Sequence, residues 1–185
     1  MVRRCTFALF VAGFMTFAMM SEPLVAQNAG SSWQPSKQQK SAAVALAEAH
    51  FAAVDRSSWS QAVGLMTPEV QYRTDPDALG ESVAASRRRL GAVQERRIAG
   101  VTWYPTASRE GAGVAAGIDF QARTENDGIA CGDLSIIERT EGVFEILRVE
   151  QTEILRADAA TMSKPALTRL LNRPGCRVFL QKSSG

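Results

Sequence analysis

Apolar residues recur at helical spacing in the first half of this chain and at every second position in the second half. Residues 41–55, SAAVALAEAHFAAVD, are rich in alanine, the strongest helix former. Val44, Ala47, Phe51 and Val54 fall on one stripe of that helix. Residues 55–58 break it. Ser57 or Ser58 can cap a second helix through WSQAVGLM, which stops at Thr67-Pro68 because proline disfavours a helical residue before it. Trp59 reads there as a helix–helix packing residue, and 70–73 as a short extended piece. Asp75 as N-cap and Pro76 at the first helical position open a third helix. Leu79, Val83, Ser86 and Leu90 lie on one of its faces, and Gly91 suits a left-handed cap at its end.

Beyond Gly91 the period changes to two. Residues 94–105 carry Ile98, Val101 and Trp103. Residues 113–123 place Val114, Ala116, Ile118, Phe120 and Ala122 on one face, the alternation of a half-buried strand. Asp127-Gly128 favours a tight hairpin. A third strand follows over 129–140 through Cys131, Leu134 and Ile136. After the Glu141-Gly142 turn, a fourth runs over 143–154. Helices first and a meander afterwards predict an α+β domain, with N-terminal helices packed on one face of a curved four-stranded antiparallel sheet. Lys164-Pro165 starts a short helix, ALTRLLN, and Pro174-Gly175 turns it. RVFLQ then reads as a short strand or packed coil, and KSSG as a frayed end.

The N-terminus follows different rules. Arg3 and Arg4 precede TFALFVAGFMTFAMM, an uncharged apolar run, and small residues follow it. This is the layout of a secretory signal, and the run is short of the roughly 20 residues of a spanning helix. Residues 1–26 are therefore expected to be a signal peptide, with cleavage after Ala26 or, as second choice, Ala29. An uncleaved anchor is the alternative. No cysteine follows the run to carry a lipid, and the apolar register favours general secretion over a twin-arginine route. The expected organisation is signal peptide 1–26, flexible polar lead-in 27–40, α+β cone-like domain 41–155, and a C-terminal helical tail 156–185.

An export address changes how the cysteines read. Of three, Cys5 leaves with the signal, so Cys131 and Cys176 remain. Two cysteines in an oxidising compartment imply one disulfide, here closing a loop of about 45 residues and stapling the tail to the third strand. Two buried or free thiols are the alternative. A catalytic redox pair is more often close-spaced.

The helix, DRSSW at 55–59, the second helix, SRRRLG at 86–91 with Arg96 or Arg97 soon after, and the hairpin-rich sheet ending in TEGVFEILRVEQTEI resemble the bacterial exported domain-of-unknown-function family 4019. That family is similar to the cystatin-like, nuclear-transport-factor-2-like cone folds. The resemblance covers residues 42–155. Phe144 departs from it, standing where tryptophan is expected, and Cys131-Gly132-Asp133 displaces an acidic residue. The tail and the cysteine pair lie outside it. The resemblance implies a sheet whose concave face is covered by helices around an apolar pocket. It brings no activity. Enzymes of the cone fold, such as ketosteroid isomerases and polyketide cyclases, place Asp, His or Tyr in that pocket. A dry cavity moves such a group's pKa toward neutrality and makes it a base.

Candidates for that chemistry are few. His50 is the sole histidine, beside Phe51 on the first helix. It is the weak catalytic candidate, and it is one of four residues, with Tyr72, Trp103 and Phe120, expected to line a ligand pocket. Tyr104 is a further aromatic for a pocket or its rim. Alternation turns Asp119 away from Ile118 and Phe120, and Asp133 and Glu138 are no better placed for catalysis. One histidine and two paired cysteines leave no zinc set. No nucleophile elbow, phosphate loop or dinucleotide fingerprint is present, so no cofactor or metal is implied.

The stretch SRRRLGAVQERRI holds Arg87, Arg88, Arg89, Arg96 and Arg97. It reads as a helix end, a glycine stop and a strand start, with the three helical arginines at the negative end of the helix dipole. The other reading is an anion or partner patch. The net charge of +2 argues against nucleic acid. At 185 residues, 45% hydrophobic and 22% charged, the chain suits one ordinary globular domain. The functional expectation is non-enzymatic binding of a small apolar ligand or an envelope protein, with membrane contact only through the uncleaved signal. The alternatives are a small pocket enzyme (proton transfer, hydration or cyclisation) and a structural accessory using the arginine patch.

Overall fold

The computed structural model describes residues 33–108, 111–173 and 175–176. The expected signal peptide, positions 27–32 and the RVFLQ and KSSG segments lie outside them. The order of elements is α1 (Lys37–Asp55), α2 (Trp59–Gly64), α3 (Pro68–Gln71), α4 (Pro76–Leu90), β1 (Val93–Ser108), β2 (Gly111–Thr124), β3 (Gly128–Thr140), β4 (Val143–Leu155), α5 (Arg156–Thr161) and α6 (Lys164–Leu171). The four strands form one antiparallel sheet in the order β1-β2-β3-β4. The fold is α+β, with helices before a curved meander and a helical tail after it.

Helix α1 begins four residues before the expected start, inside the segment read as a flexible lead-in. Ser36 and Gln39 explain this. The Ser36 hydroxyl accepts from the Gln39 N–H at 3.1 Å, and the Gln39 side chain accepts from the Ser36 N–H at 2.8 Å. This capping box satisfies two orphan donors in a stretch whose polar composition looks like linker. Gln39 also donates to Glu138 at 2.9 Å, and Trp33 packs against the core. The buried face of α1 is Ala43, Ala47, His50, Phe51 and Ala53; Ala47 and Phe51 of the expected stripe belong to it, and Val44 and Val54 flank it. The small alanines allow the helix to lie close to its neighbours.

The segment expected to be extended at 70–73 is instead the end of α3 and a turn. Thr67-Pro68 provides a helix start there, with proline at the first position. The link between α2 and α3 pairs with the edge of β4. The Thr67 N–H donates to the Ile146 carbonyl at 2.9 Å, and the Ile146 N–H to the Leu65 carbonyl at 3.0 Å. Helix α4 starts as expected, with the Asp75 carboxylate accepting from the Asp77 N–H at 2.9 Å. Trp59, the first residue of α2, packs onto α4 against Gly80, where an added Cβ would come within 2.6 Å of the indole nitrogen.

The core is built on the inner face of the sheet. Val114, Ala116, Ile118, Phe120, Leu134, Ile136, Phe144 and Ile146 meet Ala43, Ala47 and Phe51 of α1. Phe51 and Phe120 have ring centroids 4.9 Å apart, and Trp103 stands edge-on to Phe144 at 6.2 Å. A register shift between Ile98 and Gly100 resolves an irregularity in the sequence. Ile98 and Val101 are three apart, which strict alternation puts on opposite faces. The bulge returns both to the inner side, opposite Phe120 and Ile118. Cys131 pairs in register with Gln121, one position out of phase with inner-facing Phe120 and Leu134, so it belongs to the outer face. Its disulfide with Cys176 brings the tail to the side of the sheet opposite α1.

Candidate functional site

A cleft lies between α4 and the inner face of the sheet, closed at one side by the end of α1. Val54, Val83, Leu90, Val93 and Ala130 form its apolar lining. Asp55, Ser82, Ser86, Arg87, Arg96, Thr124, Gln151 and Glu153 supply polar groups. It is the polar concavity to which the arginine-rich stretch contributes, and its volume is ≈ 100 Å³. Ligand pockets usually enclose roughly 300–1,000 Å³. This cleft has room for a few waters or a very small polar molecule.

The arginines do not form one surface. Arg87 turns back to the end of α1, donating to the carbonyls of Val54 and Asp55 at 2.9 and 3.0 Å and to the Ser57 hydroxyl at 3.0 Å. It thereby joins the Ser57 N–H on the Val54 carbonyl, gives the Asp55 carbonyl a donor, and holds the turn in which Ser57 adopts φ 60°. Its guanidinium also lies 5.9 Å from the Trp59 ring. Arg89 pairs with Glu153 at 2.8 Å. Arg96 points inward, bonded through both terminal nitrogens to Asp55 at 2.5 and 3.2 Å, with its guanidinium 4.6 Å from the Phe51 ring. Arg97, the next residue, faces outward and donates to the side-chain amide oxygen Oε1 of Gln121 at 2.6 and 3.0 Å. Arg88 is exposed. Alternation along β1 puts Arg96 and Arg97 on opposite sides of the sheet, so no common anion could touch both.

The acidic side of the cleft is equally committed. Glu153 accepts from the Ser86 hydroxyl at 2.5 Å and from the Gln151 amide at 2.6 Å, besides Arg89. Asp55 and Glu153 are the members that sequence reasoning missed as site residues. Asp55 sits in a helix-breaking stretch. Glu153 follows a register shift after Ser135, so its face cannot be counted forward from Phe144.

His50 occupies the interior between α1 and α2, 4% exposed. Its Nδ1 is 3.3 Å from the Ala62 carbonyl, a hydrogen bond in which the ring donates, and its ring meets Phe51 edge-on at 6.1 Å. Burial holds its pKa below the ordinary histidine value, the Ala62 bond opposes this, and Arg96 adds to the lowering. The described hydrogen-bond partner of the ring is a backbone carbonyl, with no carboxylate or phenol in that role, and His50 does not line the cleft. Its geometry is that of a strut between two helices.

The other pocket candidates are not brought together. Tyr72 is 93% exposed and does not line the cleft, because the turn after α3 carries it outward. Phe120 is a fully buried core residue, and Trp103 packs at the margin of the same core. Tyr104 is exposed. Asp119 and Asp133 are cross-strand partners, turned away from Phe120. Asp133 is buried, with Arg148 at 3.6 Å and the Ser135 hydroxyl at 3.4 Å. Glu138 accepts from Gln39 and from the Gly142 N–H at 2.7 Å, tying α1 to the β3–β4 turn. Among the described residues no group of three or more His, Cys, Asp or Glu is arranged to hold a metal ion.

No family model, curated protein or solved structure matches this chain.

Proposed function

We propose that this chain is an exported, non-catalytic binding domain of the cone type, related to family 4019, whose ligand is another envelope protein. The observation that carries the reading is the filled inner face of the sheet. Phe51, Phe120, Leu134 and Ile136 pack together on that face, where the resemblance to the cone folds implies a pocket. The cleft beside α4, at ≈ 100 Å³, is small for an apolar ligand, and its charged groups neutralise one another. Proton-transfer catalysis needs a base within reach of a substrate. His50 is buried against a carbonyl instead. Export is supported by the signal-like N-terminus and by the Cys131–Cys176 disulfide, which suits an oxidising compartment. Among the described residues no helix is long and apolar enough to cross a membrane.

Cross-linking in intact cells, followed by fractionation, tests this. The expected result is a discrete cross-linked species in the envelope fraction, reproduced with the purified partner. A panel of apolar small molecules should leave the melting temperature unchanged. A saturable rise with one of them, or a turnover abolished by His50→Gln, would replace this reading with the pocket alternatives.

A further inference from the structure

We propose that the Cys131–Cys176 disulfide is a latch: oxidation docks residues 156–176 on the outer face of the sheet, and in the reduced chain this segment is undocked while the α/β body stays folded. The inference goes beyond the binding role and does not depend on it.

The body is built without the tail. Among the described residues the hydrophobic core runs from Ala43 to Ile146 and includes none from 156 onward. Among the described residues of the tail, few side chains reach the body. Helices α5 and α6 have six and eight residues, and neither contains a buried residue. Isolated helices shorter than about 12–15 residues are marginal in water, so these two need an external anchor. The anchor is at the far end. Cys131 and Cys176 are both buried, and the Gly175 carbonyl accepts from the Gln121 amide at 2.6 Å. Gln121 is held in turn by Arg97. The remaining described side-chain bonds from tail to body are Arg156 to Asp127 at 3.0 Å and Arg173 to the Thr152 hydroxyl at 2.8 Å.

Gly175 shapes the docked position. Its φ is 70°, and an added Cβ would meet the backbone of Gly132 and come within 2.7 Å of the Phe120 carbonyl. The positive φ and the close approach to the sheet both belong to the latched state.

Closing the latch is a two-electron step with an acceptor disulfide, such as oxidised glutathione or a thiol–disulfide oxidoreductase. The Cys176 thiolate, on the movable segment, attacks one acceptor sulfur and releases the first acceptor thiol. The Cys131 thiolate then attacks the Cys176 sulfur of the mixed disulfide and releases the second. The two cysteine protons end on the two released thiols, and the electrons that leave the cysteines reduce the acceptor.

Hydrogen exchange read by mass spectrometry tests the proposal on the full chain, oxidised and reduced-alkylated, alongside Cys131→Ala/Cys176→Ala. Amides of α6 should exchange at least ~10-fold faster without the bond, while α1, β2 and the core of β3 keep their protection within about threefold. Gly175→Val supplies an arm that leaves both cysteines in place. It should slow disulfide formation by oxidised glutathione at least ~10-fold and leave the body's protection unchanged, because the new side chain meets the sheet backbone only on docking. Retained α6 protection in the reduced chain would overturn the proposal. So would collapse of body protection together with the tail, or parental closure kinetics in Gly175→Val.

Discussion

Arg96→Ala separates a structural arginine from one available to an outside partner. The residue makes a two-point contact with Asp55 and stacks on Phe51. Side-chain exposures of 14% for Arg96 and 42% for Asp55 put the pair between surface and interior. Its coupling should lie at the upper end of exposed pairs, about 1 kcal/mol, since both hydrogen bonds come from one planar fork. The ring contact adds roughly 0.5–1 kcal/mol. With the loss of the packed stem, Arg96→Ala should cost about 2 kcal/mol, or a fall of roughly 4–8 °C in Tm for a domain of this size. Urea unfolding of Arg96→Ala, Asp55→Asn and their double variant measures the coupling, and Phe51→Leu does the same for the ring. Raising salt should reduce the Asp55 coupling more than the ring coupling. Arg96→Lys keeps the charge but loses the fork, so it should retain only part of the coupling. A cost under ~0.5 kcal/mol with no coupling to Asp55 would refute the reasoning. The guanidinium would then be free to serve an anion, and the arginine stretch would regain its standing as a binding patch.

Three further outcomes follow from the same geometry. His50, held neutral by burial, has a folded pKa below its unfolded value near 6.5, so the unfolded chain binds the extra proton first. Its stabilising contribution is complete above that value and is lost as pH falls from 6.5 toward the folded pKa, with a slope of at most about 1.4 kcal/mol per pH unit. Unfolding free energies between pH 7.5 and 5 should show this slope in the parent and not in His50→Asn; equal slopes would exclude His50 as its source. Gly91 ends α4 at φ 79° and ψ −176°, a region essentially reserved for glycine, and a Cβ there would stand 2.8 Å from that of Glu125. Gly91→Ala should destabilise by about 1–3 kcal/mol in urea, and a neutral result would mean that the turn relaxes freely. The disulfide spans 45 residues, for which chain entropy sets a contribution of about 4 kcal/mol as an upper value. Cys131→Ala/Cys176→Ala should therefore lower stability by up to that amount, and a larger loss in calorimetry would show that the bond also organises the body.

The succession of elements was legible because each strong signal was local. Asp75-Pro76 marks a helix start, the 114–122 alternation marks a strand, and Asp127-Gly128 marks a turn, each through the backbone of a few neighbouring residues. The start of α1 was equally local but lay hidden in the pair Ser36 and Gln39, within a polar run. The candidate site was much less legible. Its members come from α1, α4 and all four strands, and two register shifts change which side chains face inward. Tyr72 was misplaced because an aromatic residue carries no mark of whether a turn will turn it out.

What the sequence by itself determined is therefore the order of helices and strands, the α+β class and the export-like N-terminus, all properties of local pattern and composition. The pairing of Cys131 with Cys176 was predicted by counting, but the face of the sheet on which it closes was decided by the strand register. Only the tertiary structure determined the fate of the charges. Five arginines close in sequence were divided between two sides of a sheet and the end of a helix, four of them in specific contacts. Their partners, Asp55, Gln121 and Glu153, lie 24–64 residues away, and neither spacing nor net charge records such distances. The same holds for His50, whose chemistry was decided by burial and a carbonyl of the neighbouring helix rather than by its place beside Phe51.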